Sequence, residues 1–524
     1  MHLNIVEKLR RSKTVMFIFF ACCLIALALI TYTAVKNDKE ATIHPIPEVS
    51  VRPGYHFTVP DKWKNDPQKP IYFDGEYHYY YLYNSDYPEG NGTEWRHATS
   101  VDLVEWEDEG VAIPKYTNQN GDPWSGSVVV DDTNTAGFGE GAIVAILTQP
   151  SADGGKQEQF LWYSTDRGQT FQPYGDTPVL ANPGVEDFRD PKVIWDHESH
   201  KWVMTVAEGS KIGFYESDNL KDWQYTSSFH AENIGVLECP DLYQLRADDG
   251  TLKWVLGVSA NGKSTGQPNT YAYWIGDFDG EQFIPNQTEP QWLDYGFDWY
   301  GAVTFEDGVE SDKYNHRYAL AWMNNWDYAH VTPTLEEGFN GTDSIVRQIE
   351  LQAEGDNRYY LVSQPIEALD ELTSSTGTFE HIEVDGSTTL DVTGDMYQLE
   401  ADISWSEIKN VGLRLRESDD KTRHVDVGVF VEGEYTYVNR ASTGHPDESN
   451  RYVESTAPFD GKNKKVHLKI LVDKTSIEVF IDDGRVAFTN EIFPESDDKS
   501  ITLFAEGGTA IFDNVVIKHF HTVK

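Results

Sequence analysis

From about Tyr55 to its end, the chain is written in short runs of alternating aromatic and β-branched residues, each closed by Gly, Asp, Asn or Pro. The runs at 71–73, 77–83, 127–130, 142–147, 160–163, 201–206 and 270–274 are examples. Alternation with a period of two sends successive side chains to opposite faces of a strand, whereas a helix would scatter the same apolar residues around its circumference. No long helical period interrupts these runs before about 364–372. Many short strands with turn signals between them predict an all-β sandwich, barrel or propeller.

Internal repetition favours the propeller. Ser100-Val101-Asp102-Leu103-Val104-Glu105-Trp106 resembles Ser217-Asp218-Asn219-Leu220-Lys221-Asp222-Trp223, and between them lies Ser164-Thr165-Asp166-Arg167-Gly168-Gln169-Thr170-Phe171. The last reads as a hairpin turn in which Asp caps, Gly supplies the positive φ and the aromatic plugs the sheet. Such turns recur roughly every 50 to 65 residues, which suits one four-stranded blade per repeat. The expected organisation is a five-bladed β-propeller over 55–361, a connector over 362–375 with a short helix after Pro365, and a β-sandwich over 376–524. Alternation at 466–472 and 476–481, with the turn Asp482-Asp483-Gly484, marks the second unit.

A chain of 524 residues with 39% hydrophobic content has the material for two cores. Its formal net charge of −44 repels polyanions at long range and excludes nucleic acid as a partner. At the start, Lys8, Arg10, Arg11 and Lys13 lie in a basic stretch over 1–14, followed by an apolar segment over 15–36 and a linker over 37–54. About 20 apolar residues span a bilayer, and the basic cluster stays cytoplasmic. The body is therefore expected to be exported and held at the membrane by an uncleaved helix, since no small-residue cleavage site follows, or secreted if the segment is cleaved. Cys22 and Cys23 leave a lipoprotein alternative, although Phe19-Phe20-Ala21 is a poor attachment box. Cys239 is the single cysteine of the exported part, so no internal disulfide is expected there. No Cys/His cluster has metal spacing, and neither a metal nor another cofactor is expected.

Three carboxylates stand beside residues that would fix or tune them. Asp66 lies in Trp63-Lys64-Asn65-Asp66-Pro67, where Pro67 restricts its backbone to extended values. Asp190 lies in Asp187-Phe188-Arg189-Asp190-Pro191, where the Arg189 charge is expected to keep it ionised. Glu238 lies in Val236-Leu237-Glu238-Cys239-Pro240-Asp241, where apolar neighbours are expected to favour its protonated form. One ionised carboxylate and one carboxylic acid are what retaining glycoside hydrolysis needs.

Taken together these motifs resemble glycoside hydrolase family 32, the invertases, inulinases and levanases. Asn65-Asp66-Pro67, Arg189-Asp190-Pro191 and Glu238-Cys239 match its signatures, Trp124-Ser125-Gly126-Ser127 and Trp322-Met323-Asn324-Asn325-Trp326 match substrate-contact stretches, and Ser476-Ile477-Glu478-Val479-Phe480 resembles its C-terminal sandwich. The resemblance implies a five-bladed propeller with an axial site. It implies that Asp66 attacks a fructosyl anomeric carbon, that Glu238 protonates the leaving oxygen and then activates water, and that Asp190 stabilises the transition state with Arg189 holding it. It also implies that Asn65 and Ser125 bind the fructosyl unit. Trp63, Trp95 and Trp124 either line the funnel or plug blades, with Trp124 the strongest contact candidate; Trp322 is a further one.

Three departures from the family pattern bear on the product. Gln68 and Lys69 follow the proline where the family has Asn-Gly, Leu82 stands where it has Gln, and a loop tryptophan is replaced near Gly90. Leu and Gly in place of an amide and an indole are expected to open the end of the pocket to a second fructosyl unit. The stretches 63–70 and 91–97 are similar to those of levanases that release levanbiose from β-2,6-linked fructan. The expected activity is thus levanbiose release from chain ends. The alternatives are fructose-releasing or internal attack on levan, inulin or sucrose, fructosyl transfer, and fructan binding without turnover.

Overall fold

Five antiparallel sheets follow one another along the chain in a computed structural model that describes residues 50–523, apart from 90–91, 152–154 and 447–450. Blade 1 comprises Lys62–Phe73, Glu76–Asn84, Glu94–Ser100 and Glu107–Ile113. Blades 2 to 5 open with Gly126–Asp131, Arg189–Asp196, Val236–Arg246 and Tyr300–Glu306 and close with Gln172–Pro173, Gln224–His230, Phe283–Pro285 and Arg358–Pro365. The first strands of successive blades touch in a closed ring. The short strand Phe339–Asn340, reached from blade 5, pairs in parallel with Lys62–Phe73 and links the last blade to the first.

The repeated sequence segments are the outer hairpins of blades 1, 2 and 3. In each, a Ser hydroxyl and an Asp or Asn side chain collect the turn's amides: Leu103 N donates to Ser100 Oγ, Gly168 N to Ser164 Oγ and Asn219 N to Ser217 Oγ. These local bonds satisfy backbone donors that the ladder cannot reach, which is why the pattern recurs at this position. Each gap between neighbouring blades holds its own apolar cluster, for example Leu82, Trp95, Val128 and Ile143 between blades 1 and 2. Each large side chain buried there contributes about 1.5–3 kcal/mol.

Residues 373–520 form the second part. Its two layers are joined by the long strand Ser500–Phe520, which pairs with Asn410–Glu417 through its first half and with Tyr397–Trp405 through its second. Thr373–Thr393 pairs along the whole of it. The expected connector is shorter than read from sequence: Arg358–Pro365 still belongs to blade 5, a 3-10 turn covers Glu367–Leu372, and strand resumes at Thr373. The two parts are joined by buried charges. Arg347 of blade 5 reaches Asp294 at 2.8 Å and Glu478 of the sandwich, while Arg440 of the sandwich reaches Asp298 at 2.9 Å. The apolar segment at 15–36 lies outside the described residues. Among the described residues, no helix is long and apolar enough to cross a membrane.

Candidate active site

The five first strands point the same end of the ring at one funnel, and four of them are irregular just where they enter it. Their ladders slip register between Lys64 and Pro67, opposite Arg189, between Glu238 and Asp241, and between Tyr300 and Val303. Bulges re-aim side chains that strict alternation would hide, and a proline in a central strand is tolerated at a bulge because its missing N–H is not needed there. Asp190 and Cys239 accordingly have φ of 61° and 46°. Such strained backbone at non-glycine residues is found where a site over-determines it. Gly301 shares the feature, with φ 61°. A Cβ there would stand 2.8 Å from Asp66 Oδ1, so this position needs glycine.

Asp66, Asp190 and Glu238 meet in the funnel. Ser125 Oγ donates to Asp66 Oδ2 at 2.6 Å, and Cys239 N donates to Asp190 Oδ2 at 3.0 Å. The Cys239 sulfur is 3.7 Å from both aspartates, Oδ2 in each case. Gln68 ties the backbone beneath Asp66 to blade 2: its Nε2 donates to the Asp66 carbonyl at 3.0 Å while its Oε1 accepts from Gly126 N at 2.7 Å. Trp63 Nε1 donates to Asn65 Oδ1 at 3.0 Å, and the Asn65 side chain in turn hydrogen-bonds Asp66.

Arg189 does not hold Asp190 by hydrogen bonds. Its Nε and Nη2 donate to Glu238 Oε1 at 3.2 and 3.1 Å, and its Nη1 pairs with Asp187 and reaches Gln157 at 3.3 Å. Tyr300 donates its hydroxyl to the other oxygen of Glu238. The expectation of an apolar surround for Glu238 is therefore corrected. Leu237 points into the core between blades 3 and 4, and Val236 faces solvent. Neighbours in sequence are not neighbours in space on a strand.

The electrostatics also differ from the sequence reading. Burial pushes the Asp190 carboxyl up to about 7, against the Arg189 charge that pulls it down, with Glu238 and Asp66 adding to the rise. Burial likewise raises Asp66, against the Ser125 hydrogen bond. Burial and the carboxylates hold Cys239 as a thiol, well above its usual range. Three carboxyl groups around one guanidinium form a site that favours a positive charge arriving among them.

The funnel encloses about 830 Å³, within the range of pockets that take ligands larger than one sugar ring. Trp63, Asn65, Leu82, Trp124, Ser125 and Arg189 all line it. Trp95 and Trp322 do not. Trp95 is fully buried between blades 1 and 2 and donates to the Trp124 carbonyl at 2.9 Å, so it supports the wall from behind. Trp322 is fully buried behind Trp63 and Trp326. The wall residue of that motif is Trp326, four positions on, where the strand Arg317–Trp322 has given way to a loop. Asn84, Tyr87, Gln157 and His330 also line the funnel. No spacing in the sequence points to them or to Tyr300. Gly90 and Asn91 lie outside the described residues, so of the two positions read as opening the pocket only Leu82 is placed.

Comparison with known proteins agrees with this architecture. The family model described as "Glycosyl hydrolases family 32 N-terminal domain" matches residues 56–365, and "Glycosyl hydrolases family 32 C terminal" matches 366–519. The chain is 67% identical over 472 residues to the levanbiose-producing levanase of Bacillus subtilis (strain 168), covering 90% of this chain and 91% of that one. It is 68% identical over 395 residues to the levanbiose-producing levanase of Geobacillus stearothermophilus, covering 75% of this chain and 100% of that one. Among solved structures, the exo-inulinase of Aspergillus awamori superposes with a TM-score of 0.81 at 30% identity, covering 90% of this chain and 99% of that one.

Proposed function

This chain belongs to glycosyl hydrolase family 32, and on that premise we propose that it hydrolyses β-2,6-linked fructan with retention, releasing levanbiose from chain ends. Identity of 67% to a levanbiose-producing levanase over nine-tenths of the chain supports the substrate and product. The observation that carries the chemistry is the convergence of Asp66, Asp190 and Glu238 on one funnel whose only guanidinium among the lining residues is Arg189.

In this reading Asp66 is the nucleophile. Ser125 orients one oxygen, and Gly301, where a Cβ would crowd Oδ1, leaves room for the carboxylate. As the bond to the leaving oxygen breaks, positive charge develops on the fructosyl ring, and the buried carboxylates stabilise it. Asp190, its proton released to solvent, faces that charge as a carboxylate, and the charge offsets the burial that otherwise raises its pKa. Glu238 gives its proton to the departing oxygen and takes one from water in the second step, with Arg189 and Tyr300 fixing its two oxygens. Asn65, Trp63 and Trp124 bind the fructosyl unit. Leu82, presenting a methyl surface in place of an amide, leaves the pocket open to a second ring.

The test is turnover of levan by Asp66→Ala and Glu238→Ala variants with levan binding measured in parallel. Each should lose at least about a thousandfold in kcat while binding persists. Turnover within tenfold of the unsubstituted enzyme would sink the assignment. The exported location and the membrane hold through 15–36 belong to the same proposal. Fractionation of cells with an antibody to the sandwich checks them: protein in the medium, shortened at its start, would refute the anchor.

A further inference from the structure

The wall where blades 1 and 5 meet is a tile of rings. The Trp63 indole, buried at 4% exposure, is stacked by Tyr87 at 4.9 Å and 23° and by His330 at 4.8 Å and 19°. The Tyr87 and His330 rings are nearly parallel, 6.0 Å apart, and joined by a 3.2 Å hydrogen bond between the Tyr87 hydroxyl and His330 Nδ1. These distances place both rings on one face of the indole, side by side. Tyr87 comes from the loop after Glu76–Asn84, the strand that carries Leu82, and His330 from the loop after Arg317–Trp322. Their bond closes the rim between two blades that are otherwise distant in sequence.

Both loops are anchored. Lys115 holds the first through Asn84 at 2.9 Å and Asp86 at 3.0 Å, and Tyr116 adds a bond to Asp86 at 2.6 Å. The second is held from the sandwich: Arg440 donates to the Tyr328 hydroxyl at 3.1 Å, and Tyr452 bonds Asp327. A wall fixed on both sides can measure length, because a ligand cannot push it aside without breaking several bonds.

Its position sets what it would measure. Glu238 protonates the leaving oxygen, so the departing polymer lies toward blades 3 and 4. The units retained by the enzyme lie on the other side of the cleaved bond, toward Asp66 and the wall of blades 1 and 5. We propose that the hydrogen-bonded Tyr87–His330 pair is the end stop against which the terminal fructosyl ring packs, so that two units fit between it and the scissile bond. The C–H face of the sugar meets the ring faces or edges, and the shared hydrogen bond keeps the two rings from parting. This inference rests on the levanbiose reading and adds the residues that set the product length.

The test is the product distribution from levan for the unsubstituted protein and for Tyr87→Ala, His330→Ala and Tyr87→Phe, resolved by chromatography at low conversion. The unsubstituted profile reports on the levanbiose reading, and the variant profiles report on the stop. With levanbiose as the initial product, both alanine variants should raise the ratio of trisaccharide to disaccharide at least fivefold among the bonds they cleave. Tyr87→Phe, which keeps the ring and loses the hydrogen bond, should fall between. It also serves if an alanine variant fails to fold. Unchanged product ratios in every folded variant, beside an unsubstituted protein that makes levanbiose, overturn the stop alone. Fructose as the sole initial product of the unsubstituted protein overturns both.

Discussion

Asp190→Asn should make the protein more stable above neutral pH while removing its activity, and the size of the gain follows from burial. The Asp190 carboxyl rises from the ordinary 3.8 to about 7 in the folded protein. Between those values the folded state keeps a proton that the unfolded state has released, so stability falls as pH rises through the window. At 1.36 kcal/mol per unit the full loss is about 4 kcal/mol, and sharing of charge with Asp66 and Glu238 brings the expected figure to about 2–4 kcal/mol. Asn has no charge to bury, and its Oδ1 can still accept from Cys239 N as Asp190 Oδ2 does. The assay is urea unfolding of both proteins at pH 4, 6 and 8, with levan turnover alongside. The variant should match the unsubstituted protein near pH 4, exceed it by about 2–4 kcal/mol at pH 8, and turn over levan at least about a thousandfold more slowly. An equal stability difference at pH 4 and 8, or a variant less stable at pH 8, would refute the reasoning.

His56 at the interface titrates the other way. Burial lowers its pKa, but hydrogen bonds to Asp473 at 2.8 Å and Glu478 at 3.0 Å outweigh that and raise it to about 9. Its contribution is therefore complete below pH 6.5 and lost as pH climbs through 9, up to about 3 kcal/mol. His56→Gln should flatten the fall in unfolding midpoint between pH 7 and 9.5; a slope equal to that of the unsubstituted protein would contradict it. Tyr300→Phe removes one of the two donors that fix Glu238. Losing that orientation in both proton transfers should lower kcat roughly 10- to 100-fold with KM little changed. Steady-state kinetics on levan check this, and a change confined to KM would show that the hydroxyl serves binding instead.

The three carboxylates that meet in the funnel were legible in the sequence because each is embedded in a compressed local signal. Proline after Asp66, after Asp190 and after Cys239 marks the bulges that turn three strands into the funnel, and a proline inside a β-run is visible without any structure. The outer hairpins were legible for the same reason, since the Ser-x-Asp and Ser-x-Asn bonds are local. What a side chain touches across the ring was not. Arg189 sits beside Asp190 in the chain but reaches Glu238, 49 positions away, because the bulge sends the two side chains in different directions. Trp95 and Trp326 show the same limit. Both are tryptophans near motif residues, yet one lies on a strand between two blades and the other on a loop over the funnel. Tyr300, Tyr87 and His330 belong to contacts between blades, and composition carries no trace of them. The sandwich was recognised as a unit, but its hold on the loop of His330 through Arg440 and Tyr452 appears only in three dimensions.

The most direct test of the central claim is a time course of products released from levan, inulin and sucrose by the purified protein. Levanbiose accumulating first, from levan alone and without a ladder of longer fragments, is the expected result. Free fructose as the first product from all three would contradict the open, two-unit pocket read from Leu82 and the wall beyond it.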